Sequence, residues 1–147
     1  MLQGLLHLHS ALRYVIVLMM IVSLVIAFYG WIGNKNFLKS HKKTHLFTHM
    51  FLNVQLILGL VLYFMKGYHH MISSISQLPE LARFYAMEHL SAMIIAVVLF
   101  NIGYHRSLKA TQDKSKHMRI AIFFGIGFLI VMAMIPWPFM HSWATWF

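Results

Sequence analysis

Cysteine is absent from the 147 residues, which excludes disulfides, iron–sulfur clusters, thiolate metal sites and covalently attached c-type haem. Charge is scarce: 10% of the residues are charged, 60% are hydrophobic, and the mean hydropathy is +0.70. A soluble domain of this length could not bury so much apolar surface, so the class is integral membrane. Acidic residues are scarcest, three against twelve lysines and arginines. The resulting net charge of +9 sits in short stretches between apolar runs. There it sets topology and meets anionic headgroups, and nucleic acid is not an expected partner. Proline occurs three times, twice in Pro136-Trp137-Pro138, where a helix cannot continue. No cleavable leader is expected, because the N-terminus lacks a basic n-region and its apolar run is too long for an h-region.

What is present is four long apolar segments, at about 5–31, 45–65, 83–105 and 120–135. A hydrocarbon core about 30 Å thick needs roughly 20 helical residues, so each is long enough or nearly so to span. The short connections predict a single all-α domain over 1–147, an antiparallel up-down bundle of four transmembrane helices. Gly30, Gly33 and Asn34 end the first segment. The connections Asn34–Thr44 and Arg106–Arg119 are strongly basic, whereas Tyr68–Ala82 carries little positive charge. The positive-inside rule then puts the basic loops in the cytoplasm, with both termini and the Tyr68 loop outside a bacterial inner membrane. Tyr68, Tyr85, Trp137, Trp143 and Trp146 fit an external aromatic belt, and Tyr29, Trp31 and Tyr104 an internal one.

Ionisable groups inside a membrane tend to face the bundle interior or a cavity. His9 and Arg13, four residues apart, share one helical face. That face continues through Ile16, Met20, Ser23, Ala27 and Gly30, a stripe of small and polar residues suited to helix contact. His7 points away from His9 and is expected at the interface. In the third segment His89 heads a comparable stripe, Ala92, Met93, Ala96, Phe100 and Gly103. The topology brings His9 and His89 to matched depth on different helices. Small neighbours leave room for a flat macrocycle, and neutral imidazole is an ordinary axial ligand of haem iron. The expectation is haem b, with His9 and His89 as axial ligands and Arg13 at a propionate. Glu88 would pair with Arg13 or Arg83, and Gln55 would meet a quinone carbonyl or bond across helices.

A second histidine group, His41, His45, His49, His105 and His117, lies at the opposite surface. Most of it is expected in the headgroup region, with His49 and His105 the weaker candidates for a second site. His69, His70 and His141 are loop histidines. Twelve methionines include His70-Met71, Met132-x-Met134 and Met140-His141, a donor set that suits Cu(I) but is also ordinary apolar filler.

The runs Leu6-His7-Leu8-His9-Ser10-Ala11-Leu12-Arg13-Tyr14, Gln55 to Gly59 to Tyr63-Phe64, Glu88-His89 and Ile135-Pro136-Trp137-Pro138-Phe139 together resemble the small four-helix bacterial membrane proteins labelled "cytochrome B". The resemblance covers nearly the whole chain. It implies b-type haem, carried onto His9 and His89. The chain lacks the long two-histidine spacing within a helix that is expected in two helices of the respiratory cytochrome b core, which argues against a two-haem relay. It is also short of the polar residues a proton pump needs. Electron transfer between membrane quinol and a redox partner is the leading expectation. A copper-handling protein and a structural subunit of a larger membrane complex are the competing ones. Lipids, such a redox partner or complex, and further copies of the chain are the candidate partners.

Overall fold

The structure, a computed structural model, describes residues 1–140 and 142. The aromatic-belt positions Trp143 and Trp146, and His141, lie outside the described residues. Four long helices carry the fold: α1, Leu2–Ile32; α2, Lys39–Met65; α3, Glu80–Leu108; and α4, Asp113–Met134. All four are long and apolar enough to cross a membrane. α1 packs on α2 and α4, and α3 packs on the same two. α1 and α3 therefore face each other across the bundle axis.

Several helices run past the expected bounds: α1 begins at Leu2, α2 at Lys39 and α4 at Asp113, and α3 extends from Glu80 to Leu108. Hydropathy marks where apolar residues stop, not where the helix stops. Lysine, arginine and glutamine are good helix formers, and their long stems reach the headgroups while the backbone stays helical. The basic connections shrink to residues 33–38 and 109–112. Gly33 caps α1, and Asn34 turns the chain with a φ of 50°. Asp113 then ties the two basic connections together. Its Oδ2 accepts the Phe37 N–H at 3.0 Å, and its Oδ1 accepts Lys116 Nζ at 2.7 Å.

The other end is also more ordered than a plain loop. Tyr68–Gln77 forms a 3₁₀ segment after Gly67, whose φ of 72° is readily available to glycine. Inside α3, Phe84–Glu88 forms a π turn directly before His89. Such a turn inserts one residue and rotates everything that follows.

The stripe Ile16, Met20, Ser23, Ala27 and Gly30 is buried along its whole length, as are Ala96, Phe100 and Gly103. Mid-bundle, Met20, Phe100, Ile120 and Phe124 are fully buried, with the two phenyl rings 4.4 Å apart. Glycine is required where rings press on backbone: a Cβ at Gly30 would collide with the His117 imidazole, and one at Gly127 would lie 2.6 Å from Phe100. Asn53 and Asn101 exchange side-chain amide bonds between α2 and α3 at 3.2 and 3.3 Å. Outward-facing Leu18, Val25, Ile57 and Leu129 are 60–67% exposed, the surface a lipid acyl phase would cover.

The aromatic belts are only partly as expected. Tyr29 is exposed at the basic end, but Tyr104 is buried and stacks on His49 at 4.3 Å. Tyr68 and Tyr85 stack on each other at 6.0 Å and face inward.

Two outcomes follow from this packing. Gly30→Val should destabilise the bundle by about 1–3 kcal/mol, the usual cost of overpacking; thermal unfolding in detergent measures it, and His117→Ala in the same chain should recover part of the loss. Exposed Ser40 and Ser74 sit at opposite ends of the bundle. Cysteines introduced singly at these positions should react with an impermeant thiol reagent from opposite sides of the membrane. Reaction from one side only would break the antiparallel threading.

Candidate functional site

α1 delivers His9 and, one turn on, Arg13. α3 delivers His89 just after its π turn. Because these helices are diagonal, their side chains meet at the axis rather than at a packed seam. Between them, at the end carrying the N-terminus and the 3₁₀ segment, lies a cavity of about 430 Å³. Its wall includes His9, Arg13, Gln55 and His89 together. That volume is within the range of small-molecule and cofactor sites. Most of the remaining wall is apolar, with Ile16, Met20, Leu52, Leu56, Met93 and Val97 forming its inner part.

The two imidazoles are held differently. His89 Nδ1 lies 2.8 Å from the Met134 carbonyl oxygen of α4. A carbonyl only accepts, so Nδ1 carries the hydrogen and Nε2 keeps its lone pair. This is the outer partner that metal-binding histidines commonly have. Phe84 and Tyr85, at 5.6 and 6.0 Å between centroids, flank the ring. His9 lies over Gly59 of α2, where a Cβ would come within 3.2 Å of its Cε1. Its Nδ1 is buried with no hydrogen-bond partner among the described residues. His9 and His89 are within electrostatic reach of each other, and the Arg13 guanidinium within reach of both and of Tyr85. Arg13 also donates to the Tyr14 hydroxyl at 3.0 Å and lies over that ring.

Gln55 splits its two functions. Nε2 donates to the His9 backbone carbonyl at 2.8 Å, so the side chain bonds α2 to α1 at the level of the histidine. Oε1 is buried without a partner among the described residues. Of the two expectations for Gln55, a quinone carbonyl or a bond across helices, the donor makes the second, and the group left over is an acceptor, suited to a hydroxyl.

Neither a protein-family model, nor a curated protein, nor a solved structure matches this chain. The site's chemistry must be read from its own residues. Glu88 is outside it: its carboxylate pairs with Arg83 at 2.9 Å, with both side chains exposed. His7 is exposed yet also contributes to the cavity mouth, which its opposite position on the helix did not foretell. Sequence reasoning missed Gly59, Tyr63, Lys66, Tyr68 and Tyr85 as parts of the wall. The only signal for them was adjacency, since Lys66 and Tyr68 follow the end of α2 and Tyr85 lies one turn before His89. Burial raises the Tyr68 phenol above its ordinary pKa, so it remains a neutral hydrogen-bond donor.

The opposite end gives a correction. His45 and His117 were expected among headgroups; both are fully buried. The early starts of α2 and α4 carry them into the bundle. His45 Nδ1 meets Ser23 Oγ at 2.5 Å, and His117 Nε2 is 3.5 Å from the Asn36 carbonyl. Phe37 fills the space beside them, 5.8 and 4.9 Å from the two rings, and His41 packs 5.3 Å from His117. His49 stacks on Tyr104, while His105 is exposed with its ring 6.1 Å from His49. None of these five lines the cavity. Among the described residues, no group of three or more histidine, aspartate or glutamate side chains converges to hold a metal ion.

Haem, which needs two axial donors and no such cluster, fits the cavity's residues. Nε2 of His89 keeps a lone pair for a metal, the His9 ring has a buried nitrogen without a partner among the described residues, and His9 packs over a glycine with no side chain in its way. Apolar walls and a nearby guanidinium suit a macrocycle with acidic arms.

Gln55→Leu should weaken the α1–α2 pairing by about 1 kcal/mol, in the range of interhelical side-chain bonds in membranes. Thermal unfolding in detergent reads this loss, and an unchanged midpoint would remove Gln55 as the bond that positions His9.

Proposed function

We propose that this protein is a b-type haem protein of the membrane, holding one haem between α1 and α3 and carrying electrons between membrane quinol and a redox partner. The observation that carries the reading is the pairing of His9 and His89 on diagonal helices in one cavity, with His89 held as an Nε2 donor by Met134. His9 and His89 would be the axial ligands and Arg13 would meet a propionate. When bound, the haem supplies reversible one-electron transfer. The chain's own residues hold the ligands in place, exclude water with apolar walls, and set a positive local potential through Arg13. The buried Gln55 Oε1 offers an acceptor to a quinol hydroxyl at the same cavity. The resemblance to the small "cytochrome B" membrane proteins supports the same reading.

The basic connections at one end of the bundle support an orientation with residues 33–38 and 109–112 in the cytoplasm of a bacterial cell. Both termini and the cavity mouth would then be external, where a redox partner or a larger complex would meet the protein. Homo-oligomers are compatible with the apolar outer faces.

An absorption spectrum of the purified, haem-supplied protein tests the assignment. His9→Ala and His89→Ala should each abolish the low-spin b-type spectrum, because each imidazole would supply one of the two ligands that hold the iron. His7→Ala, His49→Ala and His105→Ala should each leave it nearly unchanged. Full haem retention in the His89→Ala protein would end the reading, and copper binding without haem would replace it.

A further inference from the structure

The bond that fixes His89 has its origin forty-five residues away, in the way α4 ends. In an α-helix the carbonyl of residue i accepts from the N–H of residue i+4. The Met132 carbonyl would therefore look to residue 136, and the Met134 carbonyl to residue 138. Both are proline and have no N–H to give. Ile135 leaves the helix with a φ of −71° and a ψ of 128°, and the carbonyls of the last turn are left for other donors. Two side chains supply them. Trp137 Nε1 donates to Met132 O at 3.0 Å, and His89 Nδ1 donates to Met134 O at 2.8 Å. Pro136 itself lies in the cavity wall.

We infer that Pro136 and Pro138 are positioning residues for the cavity: by removing the backbone donors for the last turn of α4, they reserve the Met134 carbonyl for His89 and so select its Nε2 as the atom presented to a ligand. The ordering half of this inference concerns the empty-handed imidazole alone; the metal-donor half rests on the haem reading above. The physical step is a competition. A backbone N–H at residue 138 in a continued helix would lie at ordinary helical distance from Met134 O and would hold it locally. His89 Nδ1–H would then lose its acceptor, the ring could turn, and either nitrogen could carry the hydrogen. The tautomer would then follow whichever partner the ring met next in the cavity.

The test uses the full chain with ¹⁵N-labelled histidine in a lipid nanodisc, His89 being assigned by comparison with His89→Gln. In the unsubstituted protein without haem, His89 should show a protonated Nδ1 and an unprotonated Nε2. A protonated Nε2 would overturn the inference at once, whatever any variant does. In the double variant Pro136→Ala, Pro138→Ala, the fixed tautomer should give way to a mixture, and haem affinity should fall about 10-fold or more, the usual effect of losing a ligand's outer partner. An unchanged tautomer in that variant would overturn the inference even if haem affinity fell. Trp137→Phe removes the neighbouring bond to Met132 but not that of His89, so its His89 signals should be unaltered. A shift as large as in the proline variant would show general loosening of the helix end and would also overturn it. If the unsubstituted protein took up no haem while the proline variant still shifted the tautomer, the role of the prolines would stand and the haem reading would fall.

Discussion

Within hydrocarbon every backbone N–H and C=O must find a partner inside the protein, and this requirement shapes the chain from end to end. It makes four long helices the economical solution for a sequence this apolar. It also means that each interruption of a helix creates groups that some other element must satisfy. There are two such interruptions near the cavity. The π turn Phe84–Glu88 is crossed by the Tyr63 hydroxyl, which donates to the Ala86 carbonyl at 3.2 Å. The proline-terminated end of α4 is met by Trp137 and His89. Both local defects lie beside the same cavity and are answered by side chains from within the chain. The irregular backbone is thus concentrated where a site needs specific orientation, while the middle of the bundle stays regular.

Polar side chains follow the same division. At one end His9, Arg13, Gln55 and His89 surround open volume. At the other, Ser23, His45, Thr48 and His117 are fully buried against packed rings and backbone carbonyls. Between the two sets stand Met20, Phe100, Ile120 and Phe124, with no exposed surface. This layer is apolar on α1, α3 and α4, and beside it the Asn53–Asn101 amide pair joins α2 to α3. The second histidine group bonds α2 to α1 through Ser23 and brings α4 against the connection after α1 through the Asn36 carbonyl. Gly30 belongs to the same packing, since only an absent side chain lets α1 rest on the His117 ring.

How much of this could be read from the residues depends on the kind of signal. Apolar length gave the number of spans, and helical spacing gave the inward stripe from Ile16 to Gly30 without error. The same spacing put His9 and Arg13 on one face, and antiparallel topology put His89 at their level, and all three line one cavity. The ends themselves were illegible. Lys39 and Asp113 look like loop residues by polarity, yet they start helices, and that misreading put His45 and His117 among headgroups when they belong to the core. The π turn left no pattern in sequence either, as it depends on how Phe84 to Glu88 settle against α2 and the 3₁₀ segment. Lys66 and Tyr68 entered the wall through chain reversal after Gly67, which no periodicity describes.

The prolines of Ile135-Pro136-Trp137-Pro138 show how a local signal can carry long-range meaning. As punctuation they stop a helix, and that much is apparent from their chemistry. Their second consequence needs the i to i+4 register of α4 and the position of α3 beside it. Two residues apart, they silence the donors for two carbonyls two residues apart, and one of those carbonyls faces α3 at the level of His89. Each proline removes the helical donor for one of the two carbonyls, and Pro136 also turns Ile135 out of the helix. The alternation therefore matters as much as the residue type, and it joins the geometry of a helix end to the orientation of an imidazole on another helix. In a cavity whose histidines come from diagonal helices, such support from the intervening helix fixes one ring, while the other packs over Gly59 of α2.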